Sequence, residues 1–232
     1  MKVVIMAGGK GERLRPYTTV IPKPLLPLGD KPILELLLDK LNGKNVEEII
    51  MLTNYKSKYF KLLFGEEREG IKISYSEEKG PLGTAGPLGL IREKVDSDFI
   101  VMNGDILTDI DVNELVEFHK KNSPDITIVT KEERIPIQYG VIKIDNENVV
   151  EWREKPILKS EISAGIYMLN PRVLRFIKEN QKIDMNELIE KVLDGGGQVK
   201  RFLYKGRWID IGKIEDYENA QKELVKPFKN EE

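Results

Sequence analysis

Residues 1–14 read MKVVIMAGGKGERL. The apolar run Lys2–Met6 predicts a β-strand, and a glycine-rich loop follows it without a gap. Gly8, Gly9 and Gly11 keep side chains out of this loop, so that its backbone N–H groups can approach a phosphate closely. A strand that leads directly into such a loop indicates a phosphate-binding turn near the start of an α/β fold.

Two common phosphate-binding loops do not fit this spacing. A dinucleotide-binding fingerprint needs a third glycine where the chain has Leu14, and it needs an acidic residue at the end of a second strand about 20 residues further on, where this chain has no such strand end. A Walker A loop ends in Gly-Lys-Ser or Gly-Lys-Thr, and this loop does not. From the loop alone, a tight turn with no ligand remains an alternative.

Outward from the loop, short apolar runs alternate with helical patterns through the first half of the chain. Strands are predicted at Lys2–Met6, Glu48–Thr53, residues 71–76 and Phe99–Asn103, and helices at residues 32–41, 58–64, 84–91 and 112–121. This alternation predicts an α/β, Rossmann-like fold, with a mostly parallel central sheet and helices on both faces.

The second half of the chain is richer in strands. They are predicted at residues 126–130, 140–144, 149–153, 163–169 and Val199–Leu203, with helices at residues 186–193 and 214–224. Residues 145–148 predict a hairpin turn, and Asp184 is a candidate helix cap. Because no linker or repeat interrupts the chain, we expect a single domain over residues 1–226, followed by a charged tail at 227–232.

The composition excludes several classes of function. The formal net charge is -2, so nucleic acid is not an expected partner. The absence of cysteine excludes thiolate nucleophiles and Cys-ligated zinc. The single histidine, His119, excludes multi-histidine metal sites, and its charged helical surroundings predict a surface position. No apolar run reaches the ~18 residues of a membrane span, so we expect a cytoplasmic protein with no membrane partner.

Two cations follow the glycine loop closely. Arg13 lies at its end, and Lys23 is held between Pro22 and Pro24, which restrict where its amine points. Backbone donors combined with fixed positive charge suit a triphosphate. Residues 8–16, together with the Pro-Lys-Pro sequence, resemble the signature of the sugar-1-phosphate nucleotidylyltransferases.

The resemblance extends from Lys2 to about Ala220. It implies that the loop residues Ala7, Gly8, Gly9 and Gly11 bind a nucleoside triphosphate. It also implies that Arg13 and Lys23 hold the phosphates and stabilise the transition state. Some relatives carry a C-terminal left-handed β-helix with acyltransferase activity, and this chain stops before one could start. We therefore expect nucleotidyl transfer alone.

Two aspartates are candidate metal ligands. Asp105 follows the strand Phe99–Asn103 in an Asn-Gly-Asp sequence, at the edge where α/β sheets bind ligands, although the same sequence also forms ordinary turns. Asp210 lies within an apolar run, where a buried carboxylate needs a partner or a metal; the alternative is that it caps the following helix, a role also open to Asp216. The resemblance implies that Asp105 and Asp210 bind Mg²⁺, a metal that prefers oxygen ligands.

The second half of the chain matches the family's sugar side. The resemblance implies that Lys155 grips a sugar 1-phosphate and that Glu154 binds its hydroxyls; from the residues alone, they could be a charged hairpin end. Tyr139, Gly140 and Gly165 match segments that line the sugar pocket. We therefore expect a nucleotide-binding half at about residues 1–125 and a small β-rich, sugar-binding half at residues 126–226.

Residues 77–86 match the segment that covers the base in this family, with Glu78 at the position that reads its edge before Gly83 and Thr84. A carboxylate can accept from the adjacent N1–H and N2–H₂ groups of guanine, whereas uracil presents one N–H between two acceptors. This favours GTP, and the segment is similar to that of mannose-1-phosphate guanylyltransferases. The resemblance makes mannose 1-phosphate the first choice of sugar. Because some uridylyl-transferring relatives look similar here, UTP and dTTP remain alternatives, as do glucose, glucosamine and other hexose or heptose 1-phosphates.

Two further classes of function remain open. A non-catalytic, nucleotide-sugar-binding regulatory protein could share the fold, although such proteins tend to lose the arginine, lysine or aspartates that this chain keeps. A glycosyltransferase would use an Asp-x-Asp metal motif, and Asp109 and Asp111 have that spacing. The sequence does not fix the oligomeric state and allows a homo-oligomer.

Overall fold

A computed structural model describes residues 1–225. Residues 226–232, which include the expected charged tail, lie outside the described residues. The strands are β1 (Lys2–Met6), β2 (Pro27–Leu28), β3 (Lys31–Pro32), β4 (Glu48–Thr53), β5 (Glu67–Arg68), β6 (Ile71–Glu77), β7 (Phe99–Asn103), β8 (Ile106–Thr108), β9 (Ile126–Pro136), β10 (Val141–Asp145), β11 (Asn148–Arg153), β12 (Ile157–Leu169), β13 (Val199–Leu203) and β14 (Trp208–Asp210). The α-helices are α1 (Ile33–Leu41), α2 (Ser57–Phe64), α3 (Val112–Asn122), α4 (Met185–Asp194) and α5 (Ile214–Val225). Segments of 3-10 helix cover Glu12–Leu14, Tyr17–Thr19, Lys23–Leu25, Gly86–Lys94 and Pro171–Phe176.

Eight strands form the central sheet, in the order β13-β9-β12-β7-β1-β4-β6-β5. Strands β7, β1, β4 and β6 are parallel to one another, and β13 is parallel to β9. Strand β12 runs antiparallel to both of its neighbours, and the short edge strand β5 runs antiparallel to β6. The predicted α/β fold is confirmed, with a parallel centre inside a sheet that is mixed overall.

Alternate residues of β1 are buried on opposite faces of this sheet. Val3 and Ile5 pack with residues of α1, α2 and α3, whereas Val4 packs with the 3-10 segment Gly86–Lys94 and with α4. A strand that is covered on both faces carries a continuous apolar run, as Lys2–Met6 does. The predicted placement of helices on both faces is therefore confirmed.

A third apolar cluster joins the two ends of the chain. Leu14 and Ile211 are fully buried there with Ile33, and Tyr217 of α5 packs against them. The Tyr217 hydroxyl also donates to the carbonyl of Pro27. This cluster brings the segment after the glycine loop to the segment that contains Asp210.

Strands β9 and β12 continue beyond the sheet as a two-stranded arm, in which residues 131–136 pair with residues 157–162. The hairpin of β10 and β11 lies between β9 and β12 in the sequence, and both of its strands are largely exposed. The predicted hairpin at residues 145–148 is confirmed, and the expected β-rich part of the second half corresponds to this arm and hairpin.

Most predicted elements are confirmed to within a few residues. The helix predicted at residues 84–91 is present as a 3-10 helix that begins two residues later and covers Gly86–Lys94. The strand around Asp210 is confirmed as β14, whereas the outer half of β12, strand β8 and the pairing of β8 with β14 were not predicted, because charged or very short segments carry little periodic signal. Within residues 1–225, no helix has the length and apolar character needed to cross a membrane.

Candidate active site

An ion pair connects the segment after the glycine loop to the end of β7. The Lys23 ammonium contacts a carboxylate oxygen of Asp105. Lys23 begins a 3-10 helix with Pro22 as its N-cap, and its residue surface is only 7% exposed. Since such a buried cation can adopt few rotamers, the two prolines and the ion pair fix the ammonium group at the C-terminal end of a central strand.

Asp210 is brought beside Asp105 by the short ladder of β8 and β14. These strands are antiparallel, and Asp210 is paired with Ile106. The backbone N–H of Ile211 then donates to the carbonyl oxygen of Asp105 at 3.2 Å. Two aspartates that lie far apart in sequence are therefore carried on hydrogen-bonded segments.

The charged groups around Asp210 change the pKa of its carboxyl group. Its pKa is raised above the ordinary value, first by removal from water and then by the neighbouring Asp105 carboxylate, whereas the Lys23 and Arg13 cations act in the opposite direction. The expectation that Asp210 is buried was wrong, because neighbouring groups remove its carboxylate only partly from water and the residue keeps solvent exposure at the end of β14. All four charged groups therefore share one site.

The alternative role of Asp210 as a helix cap is taken by Asp216. Its carboxylate accepts from the backbone N–H groups of Gly212 and Lys213, at 3.1 and 2.9 Å, and so caps the start of α5. Gly212 lies between these acids and Arg13: a β-carbon added there would be 3.2 Å from Asp210 Oδ2 and 3.7 Å from the Arg13 guanidinium. The Arg13 guanidinium thus reaches the same site.

The donors at this site suit a hard divalent cation. Among the residues that the structure describes, no group of three or more His, Asp or Glu side chains forms a metal cluster. Asp105 and Asp210 supply carboxylate oxygens without nitrogen or sulfur. Two carboxylates that leave room for water and substrate oxygens are typical of Mg²⁺ sites.

A cleft of about 680 Å³ opens beside this cluster at the ends of β1, β4 and β7. It is lined by Met6, Gly8, Gly9, Lys10, Leu52, Asn54, Glu78, Lys79, Gly80, Pro81, Gly83, Thr84, Pro87 and Asn103. Ala7 is buried beneath the loop, with its N–H donated to the carbonyl of Leu52 at 2.9 Å. Gly11 lies further along, where its carbonyl accepts from the Thr18 hydroxyl at 2.8 Å. The cleft thus combines the glycine loop with the segment around Glu78.

Glu78 packs directly under the glycine loop. One of its carboxylate oxygens accepts from the N–H of Leu82 at 2.9 Å. The other would lie 2.6 Å from a β-carbon placed on Gly8. Gly8 is therefore required for this close approach, and the Glu78 carboxylate is fixed in the wall of the cleft.

Gly83 and Thr84 are held by the start of α4. Gly83 has a φ of +79°, and an added β-carbon would meet the Ile183 carbonyl oxygen at 2.6 Å. The Thr84 N–H donates to Asp184 at 2.9 Å, and its hydroxyl accepts from the N–H of Met185 at 2.8 Å. Asp184 is the N-cap of α4, as predicted, and it also fixes the shape of the cleft wall.

Gly165 lies at a bulge in β12, between Ser163 and Tyr167, where the pairing with β9 shifts register. It is buried, and its missing side chain leaves room for Asn103, whose amide nitrogen would be 2.5 Å from an added β-carbon. The carbonyl of Ala164 accepts from the Trp208 indole N–H at 2.8 Å. The bulge therefore joins the cleft to β14, the strand that ends at Asp210.

The other residues expected on the sugar side lie on the exposed arm. Tyr139 is 79% exposed, and Gly140 packs against the Trp152 ring, 2.4 Å from an added β-carbon. The Trp152 indole donates to Glu154 at 3.1 Å. Lys155 has a φ of +44° at the base of the hairpin, and within residues 1–225 no ion pair joins it to the aspartates. The structure does not bring these side chains into direct contact with Asp105.

The Asp-x-Asp pair is occupied by structural contacts. Asp109 accepts from the Tyr204 hydroxyl and from the N–H of Arg207. Asp111 caps α3 by accepting from the N–H of Asn113 at 3.0 Å, and it pairs with Lys44. These contacts argue against a metal role for Asp109 and Asp111.

The expected surface position of His119 was wrong, since this residue is only 1% exposed. Its Nδ1 lies 2.7 Å from the Thr127 hydroxyl, and its Nε2 lies 3.5 Å from Asp98. Burial lowers the pKa of His119, although Asp98 opposes the shift. The ring belongs to the packing between α3 and the sheet.

Sequence reasoning missed three residues that shape the site. Asn54 lines the cleft just after β4, and Asn103 lines it at the end of β7. Because parallel strands end at one edge of a sheet, the polar residue after each predicted strand was a usable signal. Trp208 carried no such signal, because its partner Ala164 is distant in sequence.

Comparison with known proteins gives a consistent result. The family model described as nucleotidyl transferase matches residues 2–226. A mannose-1-phosphate guanyltransferase of Yarrowia lipolytica is 38% identical over 226 residues, which cover 94% of this chain and 62% of that protein. A UTP–glucose-1-phosphate uridylyltransferase of Synechocystis is 34% identical over 241 residues, covering 95% of this chain and 62% of that protein. The chain thus spans about 62% of the length of the curated relatives it matches.

A solved structure supports the fold. HddC from Yersinia pseudotuberculosis, complexed with GMP-PN, superposes with a TM-score of 0.76 at 29% identity. The match covers 96% of this chain and 99% of that one.

Proposed function

The chain belongs to the nucleotidyl transferase family, and from that premise we propose that it transfers a nucleoside monophosphate from GTP to mannose 1-phosphate. The products are GDP-mannose and pyrophosphate. The observation that carries this proposal is the convergence of Arg13, Lys23, Asp105 and Asp210 beside a cleft lined by the glycine loop. Phosphoryl transfer needs fixed charge around the reacting phosphates, and this arrangement supplies it.

In the proposed reaction, an oxygen of the sugar phosphate attacks the α-phosphorus in line with the leaving pyrophosphate. One P–O bond forms as the bond to pyrophosphate breaks, and the attacking phosphate is already anionic, so no general base is needed. Arg13 and Lys23 neutralise the leaving group, while the N–H groups of Gly8 and Gly9 face the phosphates. Because Lys23 is buried and paired with Asp105 before the substrates bind, little reorganisation of this cation accompanies the reaction.

Asp105 and Asp210 would hold Mg²⁺. When bound, the ion would supply positive charge to phosphate oxygens of both substrates. The residues present fit this role, because Asp105 and Asp210 are neighbouring carboxylates and carboxylate oxygens are hard donors that Mg²⁺ prefers. The Lys23 ammonium is paired with Asp105 at the same site.

The choice of GTP rests on Glu78. Its carboxylate lies in the cleft wall against Gly8, and it is fixed by the N–H of Leu82. A fixed acceptor suits the paired donors of guanine better than the single N–H of uracil. The similarity to a mannose-1-phosphate guanyltransferase supports the same base and favours mannose 1-phosphate as the sugar.

For the sugar phosphate, we assign Lys155 and Glu154 to its phosphate and hydroxyls, and Tyr139, Gly140 and Gly165 to the walls around it. Of these, Gly165 lies against Asn103 at the cleft, while the others lie on the arm and hairpin.

A second candidate reaction uses UTP or dTTP with glucose 1-phosphate or another hexose or heptose 1-phosphate. The 34% identity to a uridylyltransferase favours it. A pyrophosphate-release screen of four triphosphates against a panel of sugar 1-phosphates separates the two. The proposal expects the fastest release with GTP and mannose 1-phosphate. Faster release with UTP or dTTP supports the second candidate, and no release with any pair overturns both.

A further inference from the structure

A basic concavity lies outside the cleft, with a volume of about 610 Å³. It is lined by Arg92, Pro171, Arg172, Leu174, Arg175, Ile177, Lys178 and Glu179. None of these residues lines the cleft at the glycine loop. We propose that this concavity is a second binding site, one that takes a phosphate-bearing anion of the pyrophosphate class.

The Arg92 guanidinium is fixed at one wall of the concavity. Its Nη2 donates to the carbonyl of Leu174 at 3.0 Å and to that of Ile177 at 2.7 Å. These bonds join the 3-10 segment Gly86–Lys94 to the segment after β12. They hold the Arg92 guanidinium in place. Its positive charge is not neutralised, because carbonyl oxygens carry no net charge.

Two more arginines of the lining are anchored by structural contacts. Arg172 donates through Nε to the buried carboxylate of Asp125, which also accepts from the N–H of Gln198 at 2.8 Å. The Arg175 guanidinium lies 4.9 Å from the centre of the Phe176 ring. Each side chain has one structural contact that restricts its rotamers, so a ligand would pay less of the entropy cost of ordering it.

The charges around the concavity favour an anion. Arg92, Arg175 and Lys178 contribute cations, the charge of Arg172 is offset by its ion pair with Asp125, and Glu179 is the sole carboxylate among the described lining residues. Guanidinium groups match phosphate oxygens in pairs, which favours phosphate over a simple halide. The volume is within the ~300–1,000 Å³ that is usual for small-ligand sites, and large enough for two linked phosphates.

One segment of the chain contributes residues to both the basic concavity and the cleft. The 3-10 segment Gly86–Lys94 carries Pro87 at the cleft and Arg92 at the concavity. Midway, a β-carbon on Gly89 would lie 3.2 Å from the Ile177 side chain. An anion at the concavity therefore bears on a segment that also forms the nucleotide cleft. This part of the inference rests on the proposed function.

Calorimetric titration with pyrophosphate in EDTA tests the site without relying on turnover. We compare the wild-type chain with Arg175→Ala/Lys178→Ala, which removes two exposed cations and leaves the Asp125 and Leu174 contacts intact. Lys120→Ala/Lys121→Ala is the matched control, because it removes two exposed cations from α3. The wild type and the control should each bind one more equivalent of pyrophosphate than the concavity variant does. If the variant still binds this equivalent, its affinity should be at least tenfold weaker.

Equal isotherms for the wild type and the concavity variant overturn the proposal, as does an equal loss in the control. Lys178→Glu serves as a second variant and should also abolish the extra event. If the proposed function fails, the concavity variant shows no binding while the wild type still shows one event, so the two failures are distinguishable. A parallel titration with GDP identifies the source of the phosphate: tighter binding than pyrophosphate indicates a nucleotide, and equal binding indicates free pyrophosphate.

Discussion

The backbone N–H of Ile211 donates to the carbonyl oxygen of Asp105 at 3.2 Å, and this bond brings the C-terminal strand β14 to the end of β7. As a result, Asp210 stands beside Asp105, and Asp105 in turn pairs with Lys23. The segment after the glycine loop, the central sheet and the C-terminal segment thus meet at one point. A reaction assigned to this point should fail when any one of the three is altered.

Replacing Asp105 with asparagine should abolish Mg²⁺-dependent turnover. The change removes a carboxylate that we assign to the metal and leaves the shape of the side chain almost unchanged. We expect a loss of roughly 10² or more in pyrophosphate release, typical of removing fixed charge at a transition state. Asp96→Asn is the control, since Asp96 is exposed, and its carboxylate contacts only surface groups, Lys2 at 4.0 Å and the Ser97 hydroxyl at 3.4 Å. Full activity of the asparagine variant at ordinary Mg²⁺ would remove Asp105 as a ligand.

Arg13→Ala should lower kcat by roughly 10² if its guanidinium stabilises the leaving phosphates. Arg15→Ala is a matched control, because Arg15 is exposed and pairs with Glu12 at 3.7 Å, away from the aspartates. Steady-state pyrophosphate release measures both variants. A normal rate for the Arg13 variant, or an equal loss in the control, would contradict the assigned role.

Glu78→Gln should shift base preference from GTP towards UTP. The amide oxygen can still accept from the N–H of Leu82, while the new NH₂ group can donate to a uracil carbonyl. Because one buried polar mismatch costs about 1–3 kcal/mol, we expect the ratio of kcat/KM values to change by about tenfold or more. The adjacent, exposed Glu77→Gln should leave the ratio unchanged. An unaltered ratio in the Glu78 variant would mean that another residue reads the base.

His119 should make folding stability depend on pH near neutrality. Burial lowers its pKa below the ordinary 6.5, so the unfolded chain takes up a proton more readily than the folded one. The stabilising effect is therefore present above about pH 6.5 and is lost as the pH falls through the lowered pKa, by at most about 1.4 kcal/mol per pH unit. His119 is the single histidine in the sequence, which simplifies the assignment.

Urea unfolding at pH 7.5 and pH 5.5 measures this effect. His119→Asn keeps a donor towards Thr127 and should reduce the difference in stability between the two pH values, whatever its effect on absolute stability. An undiminished difference in the variant would assign the pH dependence to other groups.

The sequence was sufficient for the fold because β1, β4 and β7 are buried on both faces and carry uninterrupted apolar runs. The arm was less predictable. Residues 132–136 and 157–161 of its outer part are exposed on both faces, so they show no burial pattern, and only their mutual hydrogen bonds define them.

The motifs and their order along the chain predicted which residues belong to the site, but they did not predict the contacts between these residues. The Lys23–Asp105 ion pair and the Ile211–Asp105 hydrogen bond join segments separated by more than 80 residues, and the three-residue ladder of β8 and β14 has no periodic signal. The position of His119 was wrong for a related reason: its neighbours on α3 are charged, yet its own side chain points at the buried Thr127.

The most direct test of nucleotidyl transfer follows the label from GTP. The protein is incubated with mannose 1-phosphate, Mg²⁺ and GTP labelled with ³²P at either the α or the γ phosphate. The account predicts that the α label enters a nucleotide sugar and the γ label leaves as pyrophosphate. The γ label in inorganic phosphate, or the α label in free GDP, would contradict it.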